Sequence, residues 1–426
     1  MRKQGLIWIL IAGTLAVVLF VVFKKEQIAL VIKQRILAND TIIELSGYPS
    51  IKGMSFIIDN NSGGDALFYI GPKFINTLTD SGLVNSLQLD RLSNEQKCIA
   101  LWKFIGEWTD HDHPAQLVEH NYYSPAMMIN GIEGGLCDKR SAALVNLAGC
   151  DGTPGRVYKL KNHVVAELWY NNAWHMFDAD KGIYYRRPDG EIADIAYLNS
   201  HPQLISAETK NLDGFMPKWR NEDTRRALSP LNYVDTTYKV FQKNYSAALR
   251  LLPGEKLDFE LTPINPVKKF IRVHLGKRDK PCFVRKGTRT RDVKIDALKY
   301  GTGAQKIYDC KMPYPITHLK ITSKNITAPV KVYYSPDSLH WYFEGIMAQA
   351  NSCLDFEAFD KDNFSFTFNY WLKFEGDKVF EKDELTIETI FTFSEKMLLS
   401  NPERAFVIHP LNGAGKNISV TLSGYK

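Results

Sequence analysis

The chain has 426 residues, of which 45% are hydrophobic and 23% are charged, with a formal net charge of +6. This length is too great for one ordinary core and predicts two or three domains. The mild positive charge argues against a nucleic-acid-binding protein, which would carry a stronger basic bias. The six cysteines are too dispersed for a disulfide scaffold, and they form no C-x-x-C pair, which argues against a structural zinc site.

An apolar stretch near the start of the chain predicts a membrane anchor over residues 1–25. Gly5 to Phe23 is a 19-residue run without charge, about the ~20 residues that cross a bilayer as a helix. No short apolar core with a small-residue cleavage site is evident, so an uncleaved helix is favoured over a signal peptide. Basic residues flank both sides and do not settle the orientation. We expect a single-pass protein with its soluble part outside the cytoplasm, in the periplasm or at the cell surface.

Three further segments follow the anchor. Residues 26–92 mix short strand-like runs with Gly, Asn and Ser, which predicts a connecting region with some sheet. Residues 93–228 open with Ser93 and Gln96, the spacing of a capping box, before a helical pattern of apolar residues. Residues 229–426 are strand-like runs separated by turns, which favours one or two β-sandwich units. The expected fold class is therefore α+β, with an N-terminal transmembrane helix and an all-β C-terminal region.

A cysteine follows Gly-Gly-Leu at the predicted start of a helix. After Cys137, small and apolar residues recur at helical spacing until Gly149 ends the pattern. The positive end of a helix stabilises a thiolate, which is the reactive form of cysteine. The two preceding glycines would let the chain turn sharply and let a substrate approach. Cys137 is thus a candidate nucleophile.

A predicted hairpin supplies candidate partners for this cysteine. If Asn171 and Asn172 form a two-residue turn, the strands around them place His163 opposite Asp180 and Val165 opposite Asp178. Residues two apart on a strand share a face, so His163, Asp178 and Asp180 would project to the same side. An imidazole beside a carboxylate in this geometry is oriented and stabilised in its protonated form.

These pieces together resemble the transglutaminase-like cysteine superfamily. They are Cys137 at a helix start, the turn GTPGR at residues 152–156, His163 with Glu167, and Trp174 with Asp178. The resemblance covers roughly residues 93–200. It implies a papain-like domain with a catalytic triad of Cys137, His163 and Asp178, and no cofactor or metal. The Cys137 backbone N–H is one candidate oxyanion donor, and Asn130, Tyr122 or Tyr123 could supply another.

The histidine-rich segment TDHDHPAQLVEH has three open interpretations. Its residues His111, His113 and His120, with neighbouring aspartates, have the donor types of a metal site. A solvated loop is the ordinary interpretation, and a loop bordering the active-site cleft is the third. His175 and Cys150 are interpreted as structural residues.

The C-terminal region carries one short motif, formed by Tyr334, Ser335, Asp337 and Trp341. It weakly resembles a turn of discoidin-type, galactose-binding-like sandwiches. Exposed aromatic residues there could stack on sugar rings, although core packing is the default interpretation. The basic run from Lys268 to Lys294 is either a solvated face or a contact for an anionic glycan or lipid.

The sequence therefore predicts a membrane-anchored, extracytoplasmic cysteine-dependent acyl transferase or hydrolase. Cys137 would attack an amide or peptide bond of a protein or peptide substrate and form a thioester. Water as the second substrate gives a peptidase or amidase, and a primary amine gives cross-linking; hydrolysis is favoured. The alternative is a catalytically inactive surface protein whose β-sandwich region binds polysaccharide or protein.

Overall fold

The structure is a computed structural model of the chain. It describes residues 32–36, 41–44, 55–61, 63–111, 116–117, 124–132, 134–160, 163–206, 236–238, 245–251, 253, 256–260, 284–288, 304–323, 326, 328–360, 365–376, 385–392, 405–411 and 418–423.

The helices of the described residues all lie between residues 80 and 206. They are α1 (Asp80–Ser86), α2 (Asn94–Trp108), α3 (Pro125–Met127), α4 (Cys137–Cys150), α5 (Ile195–Ser200) and α6 (Gln203–Ser206), with a 3-10 turn at Leu89–Arg91 and a π-helical turn at Met128–Ile132. The capping box predicted for α2 is present. The Ser93 hydroxyl accepts from the Gln96 N–H at 3.3 Å, and the Gln96 side chain accepts from the Ser93 N–H at 3.0 Å.

Strands occupy most of the remaining described chain. Their bounds are β1 (Ile32–Ile36), β2 (Thr41–Glu44), β3 (Ser55–Asn60), β4 (Ala66–Pro72), β5 (Asp110–His111), β6 (Gln116–Leu117), β7 (Gly134–Gly135), β8 (Gly155–Lys159), β9 (Val164–Tyr170), β10 (Ala173–Phe177), β11 (Thr236–Tyr238), β12 (Leu249–Leu251), β13 (Lys256–Glu260), β14 (Val284–Thr288), β15 (Ala304–Ser323), β16 (Val330–Ser335), β17 (Tyr342–Met347), β18 (Cys353–Glu357), β19 (Phe359–Asp360), β20 (Ser365–Gly376), β21 (Leu385–Thr392), β22 (Ala405–Pro410) and β23 (Ile418–Ser423).

Five sheets are formed by these strands. A nine-stranded sheet has the order β14-β21-β15-β20-β16-β17, with β18 paired to β15 and with β19 and β6 paired to β20. Three four-stranded sheets have the orders β1-β23-β3-β13, β12-β4-β22-β2 and β10-β9-β8-β11, and β5 pairs with β7. The first two of these small sheets join strands from both ends of the described chain, so their pairing is of long range.

The fold class expected from the sequence is wrong. The described residues are mostly β-strand with few helices, rather than α+β, because strands from residues 32–72 pair with strands from residues 249–260 and 405–423. Local periodicity does not reveal such distant partners. The expected transmembrane helix, Gly5–Phe23, lies outside the described residues, and no helix within them is long and apolar enough to cross a membrane. The domain boundaries stay a prediction.

Helix α4 lies in the core, and its burial fixes the position of the site. Every residue from Arg140 to Ala148 is buried. On one side α4 packs against β8 and β9 of the four-stranded sheet, and on the others against α1 and α2. The opposite face of that sheet is covered by a second apolar cluster that includes Ile195, Leu198 and Ile205. The end of the sheet at which His163 precedes β9 is thereby held against the N-terminal end of α4.

Candidate active site

Cys137 is the first residue of α4, as the sequence predicts. Leu136 before it is extended, with φ −76° and ψ −178°, and provides no side-chain cap. Gly135 fits closely, because a Cβ there would lie 2.7 Å from the Lys139 Cβ. The Cys137 thiol is free and half-buried. Since the first four N–H groups of a helix have no partner within it, this thiol lies at a terminus that stabilises negative charge.

The predicted hairpin turn is present, and the register of β9 with β10 is as predicted up to Ala166 opposite Phe177, one pair short of the predicted Val165–Asp178 pair. Tyr170 pairs with Ala173, and the ladder runs on to Ala166 opposite Phe177. The turn residues Asn171 and Asn172 have φ of 49° and 63°, the left-handed conformation that a two-residue turn of type I′ requires and that asparagine tolerates. His163, directly before β9, and Asp178, directly after β10, both lie at the open end of the hairpin.

Those two residues, His163 and Asp178, are hydrogen-bonded. His163 Nε2 lies 2.8 Å from Asp178 Oδ2, and the Asp178 side chain is fully buried. The other carboxylate oxygen of Asp178 accepts from the N–H groups of Asp180 at 3.0 Å and Lys181 at 2.8 Å. The Trp102 indole N–H donates to the Asp178 carbonyl at 3.0 Å. The carboxylate is held by three contacts, with a fourth at the backbone carbonyl of the same residue, and it can orient the imidazole.

His163 also contacts Cys137, so the three expected residues come together. Burial lowers the pKa of His163, but the Asp178 carboxylate and the hydrogen bond with Cys137 outweigh burial and raise the pKa to about 10. His163 is therefore an imidazolium at neutral pH. With Nε2 on Asp178, the remaining ring nitrogen is left for the thiol. An imidazolium beside a thiol favours the nucleophilic thiolate.

A second charged cluster lies next to the triad, and the sequence did not predict its core residue, Arg140. This arginine is buried; Nε donates to Thr109 Oγ1 at 3.0 Å, and Nη1 donates to the Asp180 carbonyl at 3.0 Å. Asp180 is buried too, and its Oδ1 lies 2.5 Å from His111 Nδ1. The only sequence signal for Arg140 is a basic residue in the first turn of the helix that begins at Cys137.

Charge in this cluster is balanced. Burial raises the pKa of Asp180. The hydrogen bond with His111 and the positive charges of His111, Arg140 and His163 outweigh burial and hold this pKa below its usual value. Asp180 is therefore a carboxylate, and the Arg140 guanidinium, whose Nη1 lies 3.6 Å from Asp180 Oδ1, compensates it. The shared face predicted for His163, Asp178 and Asp180 places two carboxylates at the site, each with its own histidine.

The structure describes two of the candidate oxyanion donors, the Cys137 N–H and the Asn130 side chain. The Cys137 N–H lies at the start of α4, next to the sulfur at which an oxyanion would form. The Asn130 side chain is buried, and its amide donates to the Thr77 carbonyl at 2.7 Å. Tyr122 and Tyr123 lie outside the described residues.

Other polar residues singled out in the sequence have structural partners. Glu167 accepts from the Arg156 guanidinium at 2.7 Å and from the Ile195 N–H at 2.9 Å. His175 is buried, and its ring stacks on Tyr170 at 3.6 Å between centroids. Burial raises the pKa of the Cys150 thiol, at the opposite end of α4 from Cys137.

Of the histidine-rich segment, His111 is described and His113 and His120 lie outside the described residues. The part of the chain that the structure describes contains no group of three or more metal-ligating side chains. His111 belongs to β5, which pairs in parallel with β7 and aligns His111 with Gly135. The described part of this segment therefore borders the site.

The C-terminal motif forms a turn between β16 and β17. Asp337 Oδ1 accepts from the N–H groups of Leu339 and His340, both at 2.8 Å, and Tyr334 is fully buried. The Lys373 ammonium lies 5.0 Å from the ring centroid of Trp341. Core packing accounts for Tyr334. Most of the basic run from Lys268 to Lys294 lies outside the described residues.

Comparisons with known proteins give no family for this chain. No protein-family model and no curated protein matches it. Among solved structures, it is similar to the structure of infectious bursal disease virus Gx strain at 9% identity and a TM-score of 0.18, over 43% of this chain and 54% of that chain. The structure of the Gt strain of the same virus gives 12% identity and a TM-score of 0.15, over 64% and 71%. These TM-scores are too low to assign a shared fold.

Proposed function

We propose that the chain is a cysteine-dependent hydrolase or acyl transferase that acts on an amide or peptide bond. The observation that supports this most strongly is the position of His163, which bonds Asp178 at 2.8 Å and contacts Cys137. A nucleophile, a base and a group that orients the base are the elements of covalent acyl transfer. The resemblance to transglutaminase-like proteins agrees with the order of these residues along the chain.

The first half of the reaction forms a thioester. The reacting form of Cys137 is the thiolate, with the proton of the pair on His163. The sulfur bonds to the carbonyl carbon, and the carbonyl oxygen becomes an oxyanion near the Cys137 N–H. The C–N bond then breaks, His163 gives its proton to the leaving amine, and the acyl group stays on Cys137.

The second half transfers the acyl group to water or to an amine. Hydrolysis yields a carboxylate and the free enzyme, and transfer to a primary amine yields a new amide. We favour hydrolysis of a peptide or amide, as the sequence predicts. Asp178 contributes in both halves by holding the ring of His163 in one orientation.

Site-specific alkylation tests the proposal without a known substrate. At pH 5.5 an ordinary thiol is roughly 0.1% thiolate, whereas the imidazolium of His163 should keep Cys137 reactive. We expect iodoacetamide to modify Cys137 at least about tenfold faster than Cys353 at this pH, as measured by peptide mass spectrometry. Cys353 is the internal reference, because it is a free and exposed cysteine.

Two variants complete this experiment. His163→Gln should slow alkylation of Cys137 and leave Cys353 unchanged, while Cys137→Ala should remove the fast reaction. If Cys137 in the native chain reacts no faster than Cys353, the enzymatic proposal is wrong.

The alternative is an inactive surface protein that binds through its C-terminal β-rich region. Exposed apolar side chains on β17, Phe343 at 54% and Ile346 at 51% exposure, favour this candidate. Slow alkylation of Cys137 together with binding of a polysaccharide would support it. Binding that is lost in Phe343→Ser would place the contact on β17. Glycan contact and an extracytoplasmic location stay predictions.

A further inference from the structure

The structure contains a second histidine–carboxylate pair beside the triad, formed by His111 and Asp180. His111 Nδ1 lies 2.5 Å from Asp180 Oδ1, and the Asp180 N–H donates to Asp178 Oδ1 at 3.0 Å. The two histidines are therefore linked through adjacent carboxylates. Parallel pairing of β5 with β7 aligns His111 with Gly135, two residues before Cys137. His111 thus lies between the segment that leads into Cys137 and the segment that follows β10.

The proton on His111 can be assigned from its partner. Burial raises the pKa of Asp180, but its hydrogen bond with His111 and the nearby Arg140 guanidinium outweigh burial and keep it ionised. An ionised carboxylate only accepts hydrogen bonds, so Nδ1 of His111 must carry the proton. In the neutral form of the ring, which His111 must adopt to act as a base, the other nitrogen, Nε2, has a lone pair. This is the tautomer of a general base.

Exposure distinguishes the two histidines. The side chain of His163 is 5% exposed, and its ring is shared between Asp178 and Cys137. The side chain of His111 is 42% exposed. A second substrate arriving from solvent can reach the His111 ring more readily than the His163 ring. The buried pair suits formation of the thiolate, and the exposed pair suits activation of an incoming molecule.

We propose that His111 is a further catalytic residue, the general base that activates water or an amine for attack on the Cys137 thioester. This inference rests on the proposed function of the triad. The water oxygen bonds to the thioester carbon while one proton passes to His111 Nε2. The C–S bond breaks and its electron pair returns to the sulfur. The acid product gives its proton to His163, and His111 releases its own to solvent.

The test separates acylation from deacylation with p-nitrophenyl acetate on the full chain. A burst of p-nitrophenol reports acetylation of Cys137, and mass spectrometry of quenched samples follows loss of the acetyl group. The variant is His111→Asn, whose amide can keep the hydrogen bond to Asp180 but has no equivalent of Nε2. We expect an unchanged burst and a loss of the acetyl group slowed by about 10²-fold, the usual contribution of a general base.

His340→Asn is the matched control. His340 Nδ1 lies 2.6 Å from Asp337 Oδ2 in the turn between β16 and β17, so the same kind of pair is altered outside the site. It should leave both phases unchanged. Native deacetylation in His111→Asn, or equal slowing of both phases, would overturn the role of His111 while leaving the triad in place. Absence of acetylation at Cys137 in the native chain would instead overturn the proposed function, and this inference with it.

Discussion

Two regions of the molecule bury polar side chains of different kinds. Around α4 and the β9–β10 hairpin, the described buried residues include ionisable ones, namely Arg140, His163, Glu167, His175, Asp178 and Asp180. In the nine-stranded sheet, the polar side chains that the structure describes as buried are hydroxyls, namely Ser323, Ser335, Thr367 and Thr389. Both regions are largely apolar inside, so the contrast lies in charge rather than in packing.

The contrast shows where this fold buries charged groups that lower its stability. An ionised group taken out of water is destabilising unless partners compensate it, and compensation is often incomplete. A buried hydroxyl in the sheet needs one hydrogen-bond partner, and its burial destabilises the fold less than burial of an ionised group does. Charge is therefore buried where chemistry can use it, around Cys137, and three substitutions can test this interpretation.

The largest effect should come from Arg140→Met. Met has similar length but leaves the Asp180 carboxylate buried without its guanidinium, and it removes the contact with Thr109. Breaking a buried ion pair in this way destabilises a protein by about 3–5 kcal/mol. Urea denaturation followed by circular dichroism would measure the loss.

Arg250→Met is the control for that measurement. Arg250 pairs with Asp65 at the surface, with its side chain 62% exposed, and surface ion pairs contribute about 1 kcal/mol or less. Similar losses for the two variants would mean that the charge beneath the site is no more important to stability than a surface pair.

An intermediate effect, dependent on pH, is expected for Asp178→Asn. Asp178 and Cys137 raise the pKa of His163 to about 10 against burial, above the value of about 6.5 for an unfolded chain. Protonated His163 therefore stabilises the fold fully below about pH 6.5, and this contribution is lost as the pH rises through about 10. Asparagine removes the negative charge beside His163, and we expect the unfolding free energy to fall by about 2 kcal/mol at pH 7.

The difference in unfolding free energy between the native chain and Asp178→Asn should thus shrink from pH 7 to pH 10. Denaturation midpoints at several pH values would measure it. A difference that stays constant over this range would contradict the imidazolium assigned to His163. Alkylation of Cys137 should slow in the same variant, because the neutral ring no longer supports the thiolate.

How far the sequence predicts this molecule depends on the distance between interacting residues. The helix start at Cys137 and the hairpin register follow from patterns within some twenty residues, since turn chemistry and strand alternation are local. From that register the shared face of His163 and Asp178 follows directly. The fold class could not be derived in this way, because β4 finds its partner β22 more than 300 residues away.

The same limit applies within the site. Arg140 and His111 contact Asp180 from separate segments, and neither contact leaves a local pattern in the sequence. The sequence alone presents His111 as part of a segment that could bind metal, be solvated or border the cleft. Its carboxylate partner, 69 residues away, became apparent only in the structure. Short-range patterns predict the triad, and long-range packing supplies the residues that surround it.

The smallest effect should come from the sheet, in Thr389→Val. The Thr389 and Tyr370 hydroxyls are hydrogen-bonded at 2.7 Å, and both side chains are buried. Valine keeps the shape and β-propensity of threonine, so only this bond is lost, at about 1 kcal/mol. Thr322→Val, at a half-buried threonine of β15 whose hydroxyl makes a long, exposed contact of 3.9 Å with the Cys353 sulfur, should change the unfolding free energy by less than about 0.5 kcal/mol. If Thr389→Val destabilises the chain as much as Arg140→Met, the sheet depends on its buried polar groups as strongly as the site does, and the contrast between the two regions disappears.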